Sequence, residues 1–248
     1  MINGGVWHTE VSMRRIALSL TVLFVVCAPA WAGAKDLMVR QRSIDSTNTT
    51  QEVTQYWTDN KMVTEAPSYR TITDFGAKTL TTIDTSKKTY LTVTFDDMRQ
   101  RAAALQKRLQ DLPAQARGEV GDVMFDESPV QLKPTGKSEK IAGYEAKQYT
   151  IDGKQISGAV WITDAFDVSA QMQARQKAVA AKTPMDRVAA AIAAIKGMPM
   201  RQELSIVKGP ITLTSTMEVL EVSEKAPPAD VLKVPDGFTK TELAPVGK

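Results

Sequence analysis

Few residues in this chain are of types that do chemistry. It has one cysteine, Cys27, and one histidine, His8, and both fall within the first 32 residues. Two close carboxylate pairs, Asp96/Asp97 and Asp126/Glu127, are the other candidates. Paired carboxylates act as general acid and base when they face each other across a bond. Sequence neighbours at the start of a strand or helix point apart, so capping and solvation account for both pairs. Glu, Lys or Tyr could move protons without histidine, but no cluster of them points to it. The expectation is a protein that is not an enzyme, with no catalytic residue, no metal ligand and no cofactor.

The surroundings of Cys27 and His8 sharpen that expectation. Met13-Arg14-Arg15 supplies a positive segment, Ile16 to Val26 a continuous weakly polar to apolar run, and Ala30-Trp31-Ala32 a small-x-small cleavage pattern. Residues 1–32 therefore read as a signal peptide cleaved between Ala32 and Gly33, and residues 33–248 as a single periplasmic domain. Residues 1–12 contain Glu10 but neither Lys nor Arg, so Met13 is a candidate start. The apolar run is far shorter than the roughly 20 residues that span a bilayer, so no stable membrane anchor is expected. Val26 precedes Cys27 where lipoprotein processing takes a small residue. Arg14-Arg15 leaves twin-arginine export open beside the ordinary secretory route. Asn48-Thr49-Thr50 is formally a glycosylation site, which matters only in a host that glycosylates.

Cleavage at Gly33 removes both Cys27 and His8. What remains can hold no Cys/His zinc site, no Ser-His-Asp or Cys-His machinery and no disulfide. Its stability must come from packing, and the length suffices for one sizeable core. The full chain carries 31 Lys and Arg against 28 Asp and Glu. That near balance points to no nucleic-acid partner.

The elements that must position any site follow from periodicity. From Asp36 to Phe95 short alternating runs are separated by turn residues: Leu37–Val39, Glu52–Thr58, Lys61–Glu65, Tyr69–Phe75, Lys78–Asp84 and Lys88–Phe95. These are meander strands. The period then changes. After Asp96-Asp97, the residues Met98, Ala102, Leu105, Leu109 and Leu112 fall at spacings of 4, 3, 4 and 3, the stripe of an amphipathic helix ending near Pro113. Its outer face carries Arg99, Arg101, Lys107 and Arg108, read as a solvated face with an anionic lipid surface as the alternative. Residues 114–129 read as a mobile loop.

Gly136 to Asp164 reads as two strands joined by a tight turn at Asp152-Gly153. Ile156, Val160 and Ile162 point one way, and Ala159 and Trp161 the other, so this strand is expected to be covered on both faces. An Ala/Gln-rich helix from Phe166 to Lys182 follows. Thr183-Pro184-Met185-Asp186 then caps a second helix with the stripe Met185, Val188, Ile192 and Ile195, closed by Gly197. Strands resume through Met198 to Ile206, turn at Gly209-Pro210 and continue through Ile211 to Val219. A last extended piece runs from Asp230 to Glu242.

Ile141-Ala142-Gly143-Tyr144, Trp161-Ile162-Thr163-Asp164, Gly197-Met198-Pro199 and Val234-Pro235-Asp236-Gly237-Phe238, in this order of elements, resemble a periplasmic domain family of unknown function. That family is similar in architecture to the bacterial lipoprotein-carrier fold. The resemblance implies an α+β fold: a strongly curved antiparallel sheet of about ten strands, an incomplete barrel, with about three helices over its concave face and a hydrophobic cavity beneath.

The functional expectation is a soluble periplasmic binding or carrier protein for a hydrophobic ligand: a lipid, an acyl chain or a lipidated protein. The candidate cavity lining is Leu91, Val93, Phe95 and Trp161 on the sheet side with Met98, Leu105, Val188 and Ile192 on the helices. The alternative is a periplasmic protein-interaction or envelope-sensing module with a filled core and no ligand. A periplasmic protein partner would then dock on an uncovered sheet edge.

Overall fold

A computed structural model describes residues 36–111, 113, 128–179, 184–208 and 211–243. The expected signal peptide and its cleavage point, most of the 114–129 loop, Thr183 of the expected cap and the Gly209-Pro210 turn lie outside the described residues.

Twelve strands form one sheet in the order β12-β6-β5-β4-β3-β2-β1-β11-β10-β9-β8-β7. The first meander comprises β1 (Leu37–Asp45), β2 (Thr50–Trp57), β3 (Lys61–Glu65), β4 (Tyr69–Asp74), β5 (Thr79–Asp84) and β6 (Thr89–Thr94). The second comprises β7 (Gln131–Ile141), β8 (Tyr144–Asp152), β9 (Ile156–Thr163), β10 (Met198–Lys208) and β11 (Ile211–Glu224). β1 joins them by pairing antiparallel with β11. β12 (Thr239–Lys240) adds a parallel pair to β6. Three helices are inserted: α1 (Phe95–Asp111) between the meanders, then α2 (Ser169–Val179) and α3 (Pro184–Ala193) between β9 and β10. The fold is α+β and dominated by an open antiparallel sheet, with two more strands than expected.

The sheet has to bend. α1 touches β6 and α2, α2 touches α3, and α3 touches β7, so the helix layer reaches both ends of the sheet. Ten inter-strand steps separate β6 from β7, roughly 48 Å in a flat sheet at about 4.8 Å per step. Three helix axes about 9 Å apart span only roughly 18 Å. The strands must curl toward the helices for both contacts to exist. The opposite face is covered too: Val231, Leu232, Val234 and Phe238 of the C-terminal segment pack on Tyr56, Val63, Ile72 and Ile83.

Local chemistry sets the boundaries. α1 starts from a capping box: the Asp97 backbone N–H donates to Thr94 Oγ1 at 3.0 Å, and the Asp97 carboxylate accepts from the Thr94 hydroxyl at 2.7 Å. The cap is thus Thr94, two residues ahead of the expected Asp96-Asp97. The tight hairpin turn also differs from expectation. It is Ala142-Gly143, with φ of 48° and 88°, that links β7 to β8, since both central residues of a type I′ turn need positive φ. Asp152-Gly153 instead starts a three-residue connection to β9. The stretch Gly136 to Asp164 therefore contributes to three strands rather than two.

β7 is an edge strand carrying Lys133, Pro134, Lys137 and Lys140 and a register shift between Pro134 and Ser138. Charge, proline and a bulge all discourage addition of another strand there.

Candidate functional site

Cross-strand partners share a face of a sheet, so the registers show which side chains look toward the helices. Val160 lies opposite Gln202, Gln202 opposite Met217, and Met217 opposite Ser43. Two residues along β1, Gln41 lies opposite Val219, and beyond it Val39 opposite Gln55. Trp57 continues that face to Met62, and the ladder runs on through Thr73 and Leu80 to Val93. This is the helix side, because Val188 and Ile192 of α3 pack on Val160, Ile162, Ile151 and Leu204.

Between that face and α2 and α3 lies a cavity of about 180 Å³, open to solvent. Its floor comes from β1, β2, β10 and β11, the strands flanking the junction of the two meanders: Val39, Trp57, Met217 and Val219 supply apolar area, and Gln41, Gln55 and Gln202 polar groups. Its roof comes from Met172, Arg175 and Gln176 of α2 and Met185, Ala189 and Ile192 of α3. Eleven of the sixteen described lining residues have apolar side chains, and four of these are methionines. An apolar hollow with a few convergent polar groups is the usual form of a small-molecule site. Flexible thioethers let such a wall adapt to its occupant.

The two roof helices differ. α3 faces inward with Val188 fully buried and Ile192 nearly so, as a core helix should. α2 turns Met172, Arg175 and Gln176, an i, i+3, i+4 set, toward the hollow. A helix whose inner face carries a cation and an amide does not satisfy its core by burial.

Arg175 is an exposed residue at the edge of the hollow; protein atoms around its guanidinium displace part of its hydration and push its pKa down, while Asp186 partly restores the preference for the charged form. Arg175 nonetheless has no carboxylate within ion-pair distance and no hydrogen-bond partner among the described residues. Other arginines do: Arg40 with Glu221, Arg70 with Glu65, and Arg201 with Glu139 and Glu218. On the floor, the Trp57 Nε1–H donates to Gln55 Oε1 at 3.2 Å. That occupies the acceptor end of Gln55 and leaves its amide N–H₂ as a donor. Gln41, Gln176 and Gln202 make no side-chain hydrogen bond among the described residues.

Of the eight residues singled out from sequence, Ile192 borders this cavity. Val188 sits one turn earlier on α3, fully buried against β8, β9 and β10. Leu91 and Val93 share the helix-side face but lie on β6, four strands from β2. Phe95 is buried at the start of α1, Met98 is half-buried, and Leu105 is 50 % exposed. Trp161 lies on the other face, opposite Arg201 in register; the guanidinium carbon is 5.2 Å from its ring centroid. β9 is covered on both faces, since Val160, Trp161, Ile162 and Thr163 are all buried.

Sequence reading missed Arg175, Gln176 and the three floor glutamines. A signal for them existed: α2 lacks an apolar stripe, and Gln41, Gln55 and Gln202 stand at inward positions of strands. Among the described residues no group of three or more His, Cys, Asp or Glu is placed to hold a metal ion. No helix among them is long and apolar enough to cross a membrane.

Residues 49–238 match the family described as "Domain of unknown function (DUF4412)". No curated protein matches the chain. Among solved structures it is similar to PNGF-II at 10% identity and a TM-score of 0.41, covering 85% of this chain and 31% of that one. It is similar to MucB at 8% identity and a TM-score of 0.29, covering 84% of this chain and 60% of the other. The LolA superfamily protein NE2245 from Nitrosomonas europaea matches at 9% identity and a TM-score of 0.27, covering 80% and 89% respectively. The chain thus spans about a third of the length of PNGF-II.

Proposed function

We propose, for a chain that belongs to the DUF4412 family of unknown function, a binding or carrier role without a catalytic step: it takes a hydrophobic ligand into the hollow between α2, α3 and the centre of the sheet. The ligand is an acyl chain, and the protein works in the periplasm after export by its N-terminal segment. The observation that carries this reading is the mostly apolar, solvent-open hollow of about 180 Å³ under two helices. Side chains that wall such a hollow forgo the close-packed contacts of an interior, which an apolar occupant would restore.

Size narrows the ligand. An engineered apolar cavity of about 150 Å³ accommodates benzene, and pockets for drug-sized molecules run to about 300–1,000 Å³. The hollow therefore matches part of one alkyl chain, and several chains at once would require the methionine walls to move. The blunted β7 edge weighs against strand addition as the working mode.

Native mass spectrometry of the mature chain purified from a periplasmic extract tests the proposal. The expected spectrum shows a bound acyl species, and after delipidation an acyl-chain fluorophore binds at micromolar concentration. Absence of both would remove the ligand reading in favour of a filled interaction module.

A further inference from the structure

We infer that the occupant of the hollow is a single-chain amphiphile with an anionic head, held with its negative group against Arg175 and its alkyl chain between the methionine walls. This rests on the reading of the hollow as a ligand site and adds the chemical class.

The argument begins with what α2 fails to do. A covering helix lowers the free energy of the fold by presenting apolar side chains inward. Arg175 and Gln176 occupy inward positions of α2, on the same stripe as Met172. Arg175 is exposed over much of its surface, yet it also borders the apolar hollow, where neighbouring protein atoms displace part of its hydration: it stands at the mouth, between the water and the apolar interior.

A cation in that position favours a counter-charge. Among the described residues Asp186 acts on it electrostatically, and no ion pair to Arg175 is formed. The remaining polar groups around the hollow can serve an anion as well. Gln55 has its oxygen engaged by Trp57 and offers an amide donor, while Gln41, Gln176 and Gln202, without side-chain hydrogen bonds among the described residues, can turn either end of the amide to an occupant. No acidic side chain is among the described lining residues. A cationic or purely hydrocarbon occupant would leave Arg175 uncompensated; an anionic head satisfies it with charge-assisted hydrogen bonds from a planar fork.

The volume excludes bulk. A diacyl lipid brings two chains, and the hollow is only slightly larger than a benzene-sized cavity. One chain suits the interior, and Met185 and Arg175, the exposed residues of the lining on the helix side, mark where its head would lie.

The test uses the delipidated full-length mature chain with three probes of equal chain length: dodecanoate, 1-dodecanol and dodecyltrimethylammonium. Binding is read from the change in tryptophan emission, to which Trp57 on the floor contributes beside Trp161, and from displacement of an acyl fluorophore. Dodecanoate is expected to bind about tenfold or more tighter than dodecanol, the low end for a charge-assisted contact at a water-open mouth. Dodecyltrimethylammonium is expected to bind weakest. In Arg175→Gln the dodecanoate-to-dodecanol affinity ratio should fall to about one, and in Arg175→Lys, which keeps the charge but loses the fork, the ratio should stay above that of the glutamine variant. Unfolding midpoints confirm that both variants are folded, and the comparison among the native chain's three probes needs no variant at all. Equal binding of dodecanoate and dodecanol by the native chain, or a ratio unchanged in Arg175→Gln, overturns the anionic-head inference alone. Failure of every probe to bind overturns the ligand site itself, and the inference with it.

Discussion

Replacing Ala189 by phenylalanine separates an open hollow from a filled core by the sign of a stability change. Ala189 is a half-buried α3 residue whose side chain borders the hollow. The substitution adds one phenyl ring, and the hollow of about 180 Å³ exceeds the roughly 150 Å³ that holds benzene. Full burial of an aromatic side chain contributes about 1.5–3 kcal/mol. The opening to solvent reduces that by roughly half, and ordering the ring costs roughly 0.5–1 kcal/mol of rotamer freedom. The expected net effect lies between no change and a gain of about 1 kcal/mol, the low end of cavity-filling changes. At about 2–4 °C per kcal/mol for a domain of this size, the melting midpoint rises by at most roughly 4 °C. Acyl-probe binding should be lost in the same protein. If the region were already well packed, the ring would overfill it and cost about 1–3 kcal/mol. Urea denaturation of delipidated native and Ala189→Phe chains, followed by tryptophan fluorescence, measures the difference. A loss of stability above about 1 kcal/mol, or native-like acyl binding with the ring in place, would refute the reasoning.

Two further outcomes follow from the scaffold. Gly158 of β9 has φ +151°, and a Cβ there would stand 1.9 Å from the Glu203 carbonyl oxygen of β10. Gly158→Ala is expected to destabilise by at least about 2 kcal/mol, because the obstacle is backbone; a melting midpoint within 1 °C of native, on the order of measurement error, would contradict the close approach. Acid should also weaken the fold. The Asp84 carboxylate accepts from the Ser86 hydroxyl and the Ser86 and Lys87 backbone N–H groups. Those bonds hold its pKa well below the usual range, and the Thr94 hydroxyl and N–H lower that of Asp97. A lowered folded pKa adds stability above the unfolded value of about 3.9 and withdraws it as pH falls through the folded value. The melting midpoint should therefore hold between about pH 5 and 7 and drop below about pH 4, with a shallower drop in Asp84→Asn.

The first six strands were legible because Thr, Val and Tyr alternate there and each meander contact is local. α1 and α3 were legible from 3.6-residue stripes and α2 from its Ala/Gln composition; α3 starts at its first-turn proline as expected but ends at Ala193, short of the Ile195 and Gly197 expected to complete it. The hairpin at Ala142-Gly143 was not, because Asp-Gly is the stronger turn signal in isolation, and what selects the turn is the pairing of Ile141 with Tyr144. The site was less legible for a related reason. Trp161 is large and apolar, but its side of β9 is set by register with β10, a partner some forty residues away in sequence. Arg175 and the glutamines looked like ordinary surface residues until the pairing of β1 with β11 placed them around one hollow.

That pairing joins strands made at opposite ends of synthesis. Every other antiparallel neighbour in the sheet is adjacent in chain order, whereas β1 must wait for β11. A chain leaving a ribosome or a translocon can form its first meander early, but one long edge of that meander stays unsatisfied until the second is complete. The floor of the hollow is the last part of the sheet to exist, since it is laid across that junction. Loop-closure entropy makes such distant pairing slow, so acquisition of ligand would trail formation of strand structure in a refolding experiment and would report completion of the whole domain.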